Sequence, residues 1–594
     1  MLSALSKALF VSQIATVCLA GGAHATAQSA FHAPSDEERS EFINFPVAPG
    51  GDSEFYEFRW PIRRVAIIGA GVSGLLAYRE LHAAGFDHIR VFERDAVPGG
   101  NWHYTEETPV AVAVPNDDPK IADYVPELPP LGSAMPLEIW HADHNDTIST
   151  AERWRRHRAP HAVWKSLTSN VPAPLMHFNG YDWPPGTPWH LTQTLLTRYL
   201  RSFASFLGMN SNDENPDMSY STRVELVRKR VDADGTERGW QLTLKKLVRL
   251  GPATSMERWW TEDFDAVVIA TGTFNAPNIP AIPGLPEWAR RFPGSVLHSR
   301  EYRYPERFAN ESIIVVGAGP SAVGISADLN PVAQRTTSLL GGVALIHNLT
   351  DSTTPPDFLN LLPQGVQIVG GIKRVHASNG TIELSDGTLL IGIDRIIFST
   401  GYRYTFPFLP QYHDSTLGRD GEPPAGAPQP LVTDGSHLRA LYLDFLHIEE
   451  PTLGFMNMNY GTITFTYGEY LAVALARVWA GTARLPSTTA MWARYRADVA
   501  RRGGYGRGLA FLGTGLMTRN TNLFLAWLNG AALEFGGTPM HPPTKDFYEI
   551  MSIWLKAFFA NPDPVRPPSV AGVAANAGSG SSPEVAFAYL TGGY

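Results

Sequence analysis

Two stretches of this 594-residue chain place glycines where a phosphate could be held. In the first, VAIIGAGVSGLLAYRELHAAG, Gly69, Gly71 and Gly74 follow a short apolar run and open a helical pattern, with Val72 and Ser73 between the second and third glycines. Each glycine has a separate physical task. The first permits a tight turn, the second lets a pyrophosphate approach the backbone, and the third lets helix and strand pack closely. The N–H groups at the start of the following helix then face the phosphate charge. Glu93 ends the next apolar run, IRVFE, where a carboxylate can accept from ribose hydroxyls. In the second stretch, IIVVGAGPSAVGISADL, the equivalent positions are Gly317, Gly319 and Ala322, with Pro320 and Ser321 opening the helix. Alanine is an accepted variant at the third position. Two such loops predict two dinucleotides and electron transfer between them.

The loops need strands to carry them. Four runs end at a glycine: RVAIIGAG (64–71), DAVVIATG (265–272), SIIVVGAG (312–319) and DRIIFSTG (394–401). Unbroken apolar runs of this kind suit parallel strands buried on both faces. The first and third lead into helices. The second and fourth end in turns, Thr271-Gly272 and Thr400-Gly401, which read as further cofactor contacts. Between the first pair, TRVELVRKRV and GWQLTLKKL flank Asp234-Gly235, a hairpin signal, and 190–208 reads as a helix. The expected fold is α/β, with two Rossmann-like dinucleotide-binding domains, the second inserted into the first.

Composition narrows the function. A net charge of −9 gives no basic footprint, so nucleic acid is not an expected partner. Residues 1–27 have the layout of a cleavable signal peptide: Lys7, an apolar run from Ala8 to Ala20, then small-residue sites ending at Ala25 and Ala27. That run falls short of the roughly 20 residues a spanning helix needs, and no later segment is long and apolar enough. The expected location is the secretory pathway, and sequons at Asn145, Asn310, Asn348 and Asn379 are compatible with it. The one cysteine, Cys18, lies inside the leader. A processed chain therefore has no thiol for disulfide, redox or zinc–thiolate chemistry. No metal-ligand spacing or nucleophile elbow stands out, so no metal is expected.

At this point the sequence resembles the flavin-containing monooxygenases, class B flavoprotein monooxygenases related to the Baeyer–Villiger enzymes. FPGSVLHSREY fits the family fingerprint at Phe292, Gly294, His298 and Tyr302, between the two glycine loops. Gly99-Gly100-Asn101-Trp102 resembles the family's G-G-x-W, SLTSNVPAPLMHF its flavin-facing asparagine segment, FSTGY its A-T-G-Y and PTLGF its P-T-L-A-F. The likeness spans roughly residues 62–490. It implies FAD on the first loop (with Gly100, Asn101 and Trp102 added to its contacts) and NADPH on the second, with NADH as the alternative. It also implies a C4a-hydroperoxyflavin that oxygenates a small organic molecule at N, S or C using O2. Asn170 is the implied catalytic side chain, and His298 reads more simply as a buried joint at the domain junction than as a proton donor.

The corresponding boundaries are 60–280 and 394–490 for the FAD-binding domain and 281–393 for the NAD(P)-binding domain. A helical region at 491–565 and a disordered tail at 566–594 complete the chain. Two departures from the family pattern stand out. RTTSLLGGVALIHNLTDS has only Arg335, before its candidate strand, to meet the extra phosphate of NADPH. The acidic, proline-rich insertion 109–135 reads first as a surface loop, with a substrate lid as the alternative. Rival functions are a Baeyer–Villiger monooxygenase, disfavoured by Tyr302, and an NAD(P)H oxidase or flavin reductase that releases H2O2.

Overall fold

A computed structural model describes residues 54–210, 215–317, 319–333, 343–346, 362–363 and 365–559. The expected leader, the expected tail, Arg335 and Asn348 lie outside these residues. Along the chain, strand β1 (Arg64–Ile68) leads into helix α1 (Val72–Ala83) and strand β2 (His88–Phe92). Strand β3 (Ala266–Ile269), β4 (Val296–His298), β5 (Ile313–Val316), helix α2 (Pro320–Leu329), β6 (Arg395–Phe398), β7 (Leu453–Phe455) and helix α3 (Thr464–Trp479) follow.

β1 is an inner strand of a seven-stranded sheet. Ile67 lies opposite Val91 of β2 on one side and Val268 of β3 on the other, all parallel. Val65, Ala66 and Ile67 are wholly buried, which is why the run carries no polar alternation. β7, the PTLGF run, adds in parallel beside β3, with Gly454 opposite Val268. Helix α3 then packs on α1 through Gly468, where a Cβ would lie 3.0 Å from Leu76 Cδ1.

The second sheet has five parallel strands in the order β4, β6, β5, Val343–Ile346, Gln367–Val369. This moves the domain boundary expected at residue 394. β6 pairs with β4 and β5, Leu297 and Val315 both facing Ile397, so DRIIFSTG belongs to the second unit. The first sheet resumes only at Leu441. β3 and β6 hold the same place in their own sheets, each beside the strand that feeds the glycine loop. An apolar run ending in Thr-Gly reports that place but not which sheet it belongs to.

The hairpin forms as expected: Thr222–Val231 and Glu237–Arg249 pair antiparallel, and Gly235 takes φ +84° at the turn. Thr254–Phe264 and Leu137–Ala142 extend it to four strands, which the sequence reading did not anticipate. Trp240 and Phe264 from this sheet share one buried cluster with Phe92, Val267 and Phe455 of the first, each large side chain contributing about 1.5–3 kcal/mol of burial. The expected helix at 190–208 is Gln193–Phe206, capped by Thr192, whose side chain accepts from Leu195 N. Three further helices, Thr488–Arg501, Gly513–Phe535 and Lys545–Phe559, form the C-terminal region. Among the described residues no helix is long and apolar enough to cross a membrane.

Several histidines are locked into this interior in neutral form. Burial pushes His447 down to about 3, His298 to about 3 and His413 to about 4, from an ordinary 6.5. As pH falls from 6.5 towards those values, the unfolded chain takes up protons that the folded chain refuses, so stability is lost across that window. Buried Glu301, pushed up by desolvation, contributes with the opposite sign. The melting temperature is therefore expected to drop between about pH 7 and about pH 5, and His447→Gln to shallow that slope. His447 Nδ1 accepts from Glu450 N, a bond that the glutamine oxygen can keep. An unchanged slope in the variant would remove His447 from the explanation.

Candidate active site

The first glycine loop is built by backbone crowding. Gly69 takes φ +106°, and a Cβ there would lie 2.6 Å from Ala270 O at the end of β3. A Cβ at Gly74 would lie 1.9 Å from Gly69 O, so α1 can close onto β1 only because residue 74 has none. Gly100, at φ +52°, would place a Cβ 2.8 Å from Gly71 Cα. The two loops touch backbone to backbone. Asp95 steadies the second of them, accepting from His103 Nδ1 at 2.6 Å and standing 3.5 Å from His161 Nε2. The donor atoms of these three residues lie within 4.8 Å of one another, a grouping that could hold a metal ion and that no sequence spacing suggested.

Glu93 is 4% exposed, and both carboxylate oxygens accept from backbone N–H groups, of Ala70 at 2.7 Å and of Asp95 at 2.8 Å. Burial pushes its carboxyl up against the pull of those two donors. Each oxygen keeps a lone pair for a ribose hydroxyl.

At this loop lies a cleft with ≈ 1600 Å³ of empty space, its solvent mouth included. Gly69, Gly71, Val72, Ser73, Glu93, Gly100, Asn101, Trp102, Asn170, Thr271 and Gly272 all line it. Gly74 is not part of this lining; it sits in the first turn of α1, against Gly69. Asn170 stands in a pinned turn: Ser169 Oγ donates to Val171 O at 2.8 Å and accepts from Leu191 N at 3.0 Å.

The sequence reading missed three contributors. Asp123 and Tyr124 come from the 109–135 insertion, which is thus a wall of the cleft rather than surface loop alone. Arg94 follows Glu93, and Asn457, Asn459 and Thr462 to Phe465 come from the segment that leads into α3. Asn457 holds φ +54° and donates to Ser73 Oγ at 3.0 Å, tying this segment to the first loop. The Oδ1 atoms of Asn457 and Asn459 are buried with no partner. Buried acceptors of this kind call for donors, which the ribityl hydroxyls and ring N–H of a flavin provide. The N–H groups opening α3 suit a flavin carbonyl. The residues present therefore fit FAD.

The second loop repeats the first in outline. Gly317 takes φ +129°, with a Cβ 2.4 Å from Ser399 O excluded, and Gly319 leads into Pro320 and Ser321 at the start of α2. Ala322 is fully buried against its sheet, as a small third residue must be. Thr400 and Gly401 follow β6, beside this loop and not among the residues lining the flavin cleft. Thr400 Oγ1 donates to Asn278 O, and Gly401 O accepts from Asn278 N at 3.0 Å and from His298 Nε2 at 3.1 Å.

His298 is accordingly a joint. Its Nδ1 accepts from Arg300 N at 3.1 Å, which fixes the proton on Nε2. Burial holds its pKa at about 3, so it carries no spare proton at neutral pH. Four residues on, Tyr302 donates to Asp328 of α2 at 2.7 Å. The fingerprint stretch thus bolts β4 to the β6 turn and to α2.

Two phosphate cradles joined by such a stretch, with a flavin-shaped cleft on the first, define a two-dinucleotide flavoprotein. Residues 150–368 match the flavin-binding monooxygenase-like family, and residues 67–125 match an NAD(P)-binding Rossmann-like domain. The chain is 48% identical over 496 residues to the flavin-containing monooxygenase iboF of Amanita muscaria, covering 82% of this chain and 91% of that protein. It is 32% identical over 474 residues to the flavin-containing monooxygenase ustF2 of Aspergillus flavus, covering 74% and 87%. The chain belongs to the flavin-containing monooxygenase family. In fold it is similar to the S-allyl-L-cysteine S-oxygenase from Allium sativum, with TM-score 0.56 and 22% identity over 86% of this chain and 98% of that one. Its cofactors are FAD and NADPH.

The two cradles separate by mutation. Among the described residues a Cβ at Gly319 meets nothing within 4 Å, so Gly319→Val should fold, stay yellow and lose reduction by NADPH, as followed by anaerobic bleaching of the flavin. At Gly71 a Cβ lies 3.4 Å from Gly100 Cα, in the gap a pyrophosphate would use, and Gly71→Val should give colourless protein. Normal bleaching in the first variant, or stoichiometric FAD in the second, would contradict this division.

Proposed function

We propose that this monooxygenase transfers one oxygen atom of O2 to a nucleophilic nitrogen or sulfur of a small organic molecule, the other leaving as water, with NADPH as the electron source. The observation that supports this reading is the place of Asn170, whose pinned turn lines the same cleft as Glu93, Asn457 and the start of α3. Bound FAD supplies the redox chemistry, accepting hydride and activating dioxygen. The chain's own part is to hold the two dinucleotides, to present the Asn170 amide, and to wall the cleft from water with Val171, Met176 and Phe465.

Tyr302 supports heteroatom oxygenation over Baeyer–Villiger insertion, because the related Baeyer–Villiger enzymes carry tryptophan at that place. Relatives at 25% identity include a senecionine N-oxygenase from Tyria jacobaeae and a thiol-specific monooxygenase from Saccharomyces cerevisiae. The leader-like N-terminus supports a place in the secretory pathway. The sequons at Asn145, Asn310 and Asn379 are all exposed, which fits glycosylation there.

A screen of amines, sulfides and ketones under isotopically labelled dioxygen tests the reaction. Label is expected in an N- or S-oxide, at one oxygen per NADPH consumed. A labelled ester or lactone would favour the Baeyer–Villiger reading, and label in H2O2 alone would favour the oxidase. Asn170→Ala is expected to keep its FAD and to lower oxygenated product per NADPH by about tenfold, with peroxide rising to match. Unchanged coupling would free Asn170 of that role.

A further inference from the structure

The 109–135 insertion supplies Asp123 and Tyr124 to the cleft wall, and Asp123 pairs there with Arg94, the residue after Glu93. The Asp123 side chain is 3% exposed and accepts from Arg94 Nη1 at 2.5 Å. Arg94 also donates through Nη2 to Asn275 Oδ1 at 3.0 Å, and Asn275 donates to Thr271 O at 3.0 Å, so the ion pair is fastened to the cleft lining. A second buried cation feels the same carboxylate. Arg300 is 4% exposed, and its Nε has no hydrogen-bond partner. Burial alone would raise the Asp123 carboxyl, but the Arg94 and Arg300 guanidinium groups hold it below the usual range. Taking a partner away from a buried charge of this kind is costly.

The insertion is anchored on both sides of Asp123. Upstream, Asn116 exchanges two backbone hydrogen bonds with Ile279 and donates Nδ2 to Pro277 O at 2.8 Å. Downstream, the Tyr124 hydroxyl donates to Val224 O at 2.9 Å, and the Arg223 guanidinium lies 4.5 Å from its ring centroid. Lys245 then binds Glu127. Each attachment is to a strand or to the connector after β3. That is the build of a fixed strap.

We propose that Asp123 and Tyr124 make this strap a clamp on the adenosine half of FAD, so that the insertion sets the preference for FAD over a mononucleotide flavin. The inference rests on FAD occupying the first cradle, and goes beyond it by assigning cofactor selection to residues outside both dinucleotide motifs. Glu93, the ribose-facing acid, marks which half lies beneath the strap. FMN has no adenosine half and would gain nothing from it.

Flavin exchange on the full-length holoenzyme tests this. Bound FAD is challenged with FMN over a range of concentrations, and the ratio of the two affinities is read from the flavin retained. Asp123→Asn is expected to lower the FAD-over-FMN ratio by about tenfold, and Tyr124→Phe, which leaves every charge in place, by about threefold. A general loosening of the fold would weaken both flavins together and leave the ratio unchanged, and that result overturns the proposal. If Asp123→Asn does not fold, Tyr124→Phe decides alone, an unaltered ratio again overturning it. Wild-type protein that binds neither flavin would instead defeat the FAD assignment.

Discussion

The structure depends on one close approach, that of the Gly71 backbone to the Gly100 backbone. With a Cβ at Gly100 only 2.8 Å from Gly71 Cα, residue 100 can carry no side chain against the first loop. β1 and α1 supply one loop and the turn after Glu93 supplies the other, so their contact sets the floor of the cleft. Everything else at that end is arranged to hold the contact. Glu93 ties Ala70 to Asp95, and Asp95 reaches on to His103 in the G-G-N-W loop. Hydrogen bonds to an ionised group are stronger than neutral ones, and here they replace the packing that the missing side chains would have given.

A second constraint joins the two units. His298 must stay neutral to keep one nitrogen as donor to Gly401 O and the other as acceptor from Arg300 N. A protonated ring would lose its acceptor and set a cation beside Arg300. Desolvation enforces the neutral state, and the same burial brings the acid sensitivity. The residue in the family fingerprint that looks most like a catalyst is thus a connector, and its chemistry is the refusal of a proton.

Both glycine loops, the hairpin at Asp234-Gly235 and the helix near Gln193 were legible because their causes are local: a positive φ, a turn, a cap. Asn170 was singled out through its motif, and the folded chain seats it in the cleft wall. The sheet to which Arg395–Phe398 belongs was not legible, since an unbroken apolar run satisfies either sheet equally. Nor were Asp123, Asn457 and Asn459. Each is a polar residue in an irregular segment, and only the folded chain shows that its side chain faces the cleft and not water. Asp95, His103 and His161 also meet only in three dimensions. The insertion read as surface because its composition is that of a loop, and it does expose Val125 and Leu131 while burying Asp123 two residues away from the first of them.

The first cradle is enclosed in a way that bears on the reaction. Around Gly71 the chain closes in from several directions: the Gly100 loop, the 109–135 strap and the segment carrying Asn457. At Gly319, a Cβ would meet nothing within 4 Å among the described residues. A ligand enclosed by segments distant in sequence leaves only when several of them yield. The first cradle is thus built to keep its dinucleotide. That is what turnover demands here, since each cycle consumes an NADPH while the flavin returns to its starting state. This enclosure was not visible in the glycine pattern of the motif. It comes from what the rest of the chain lays over that motif.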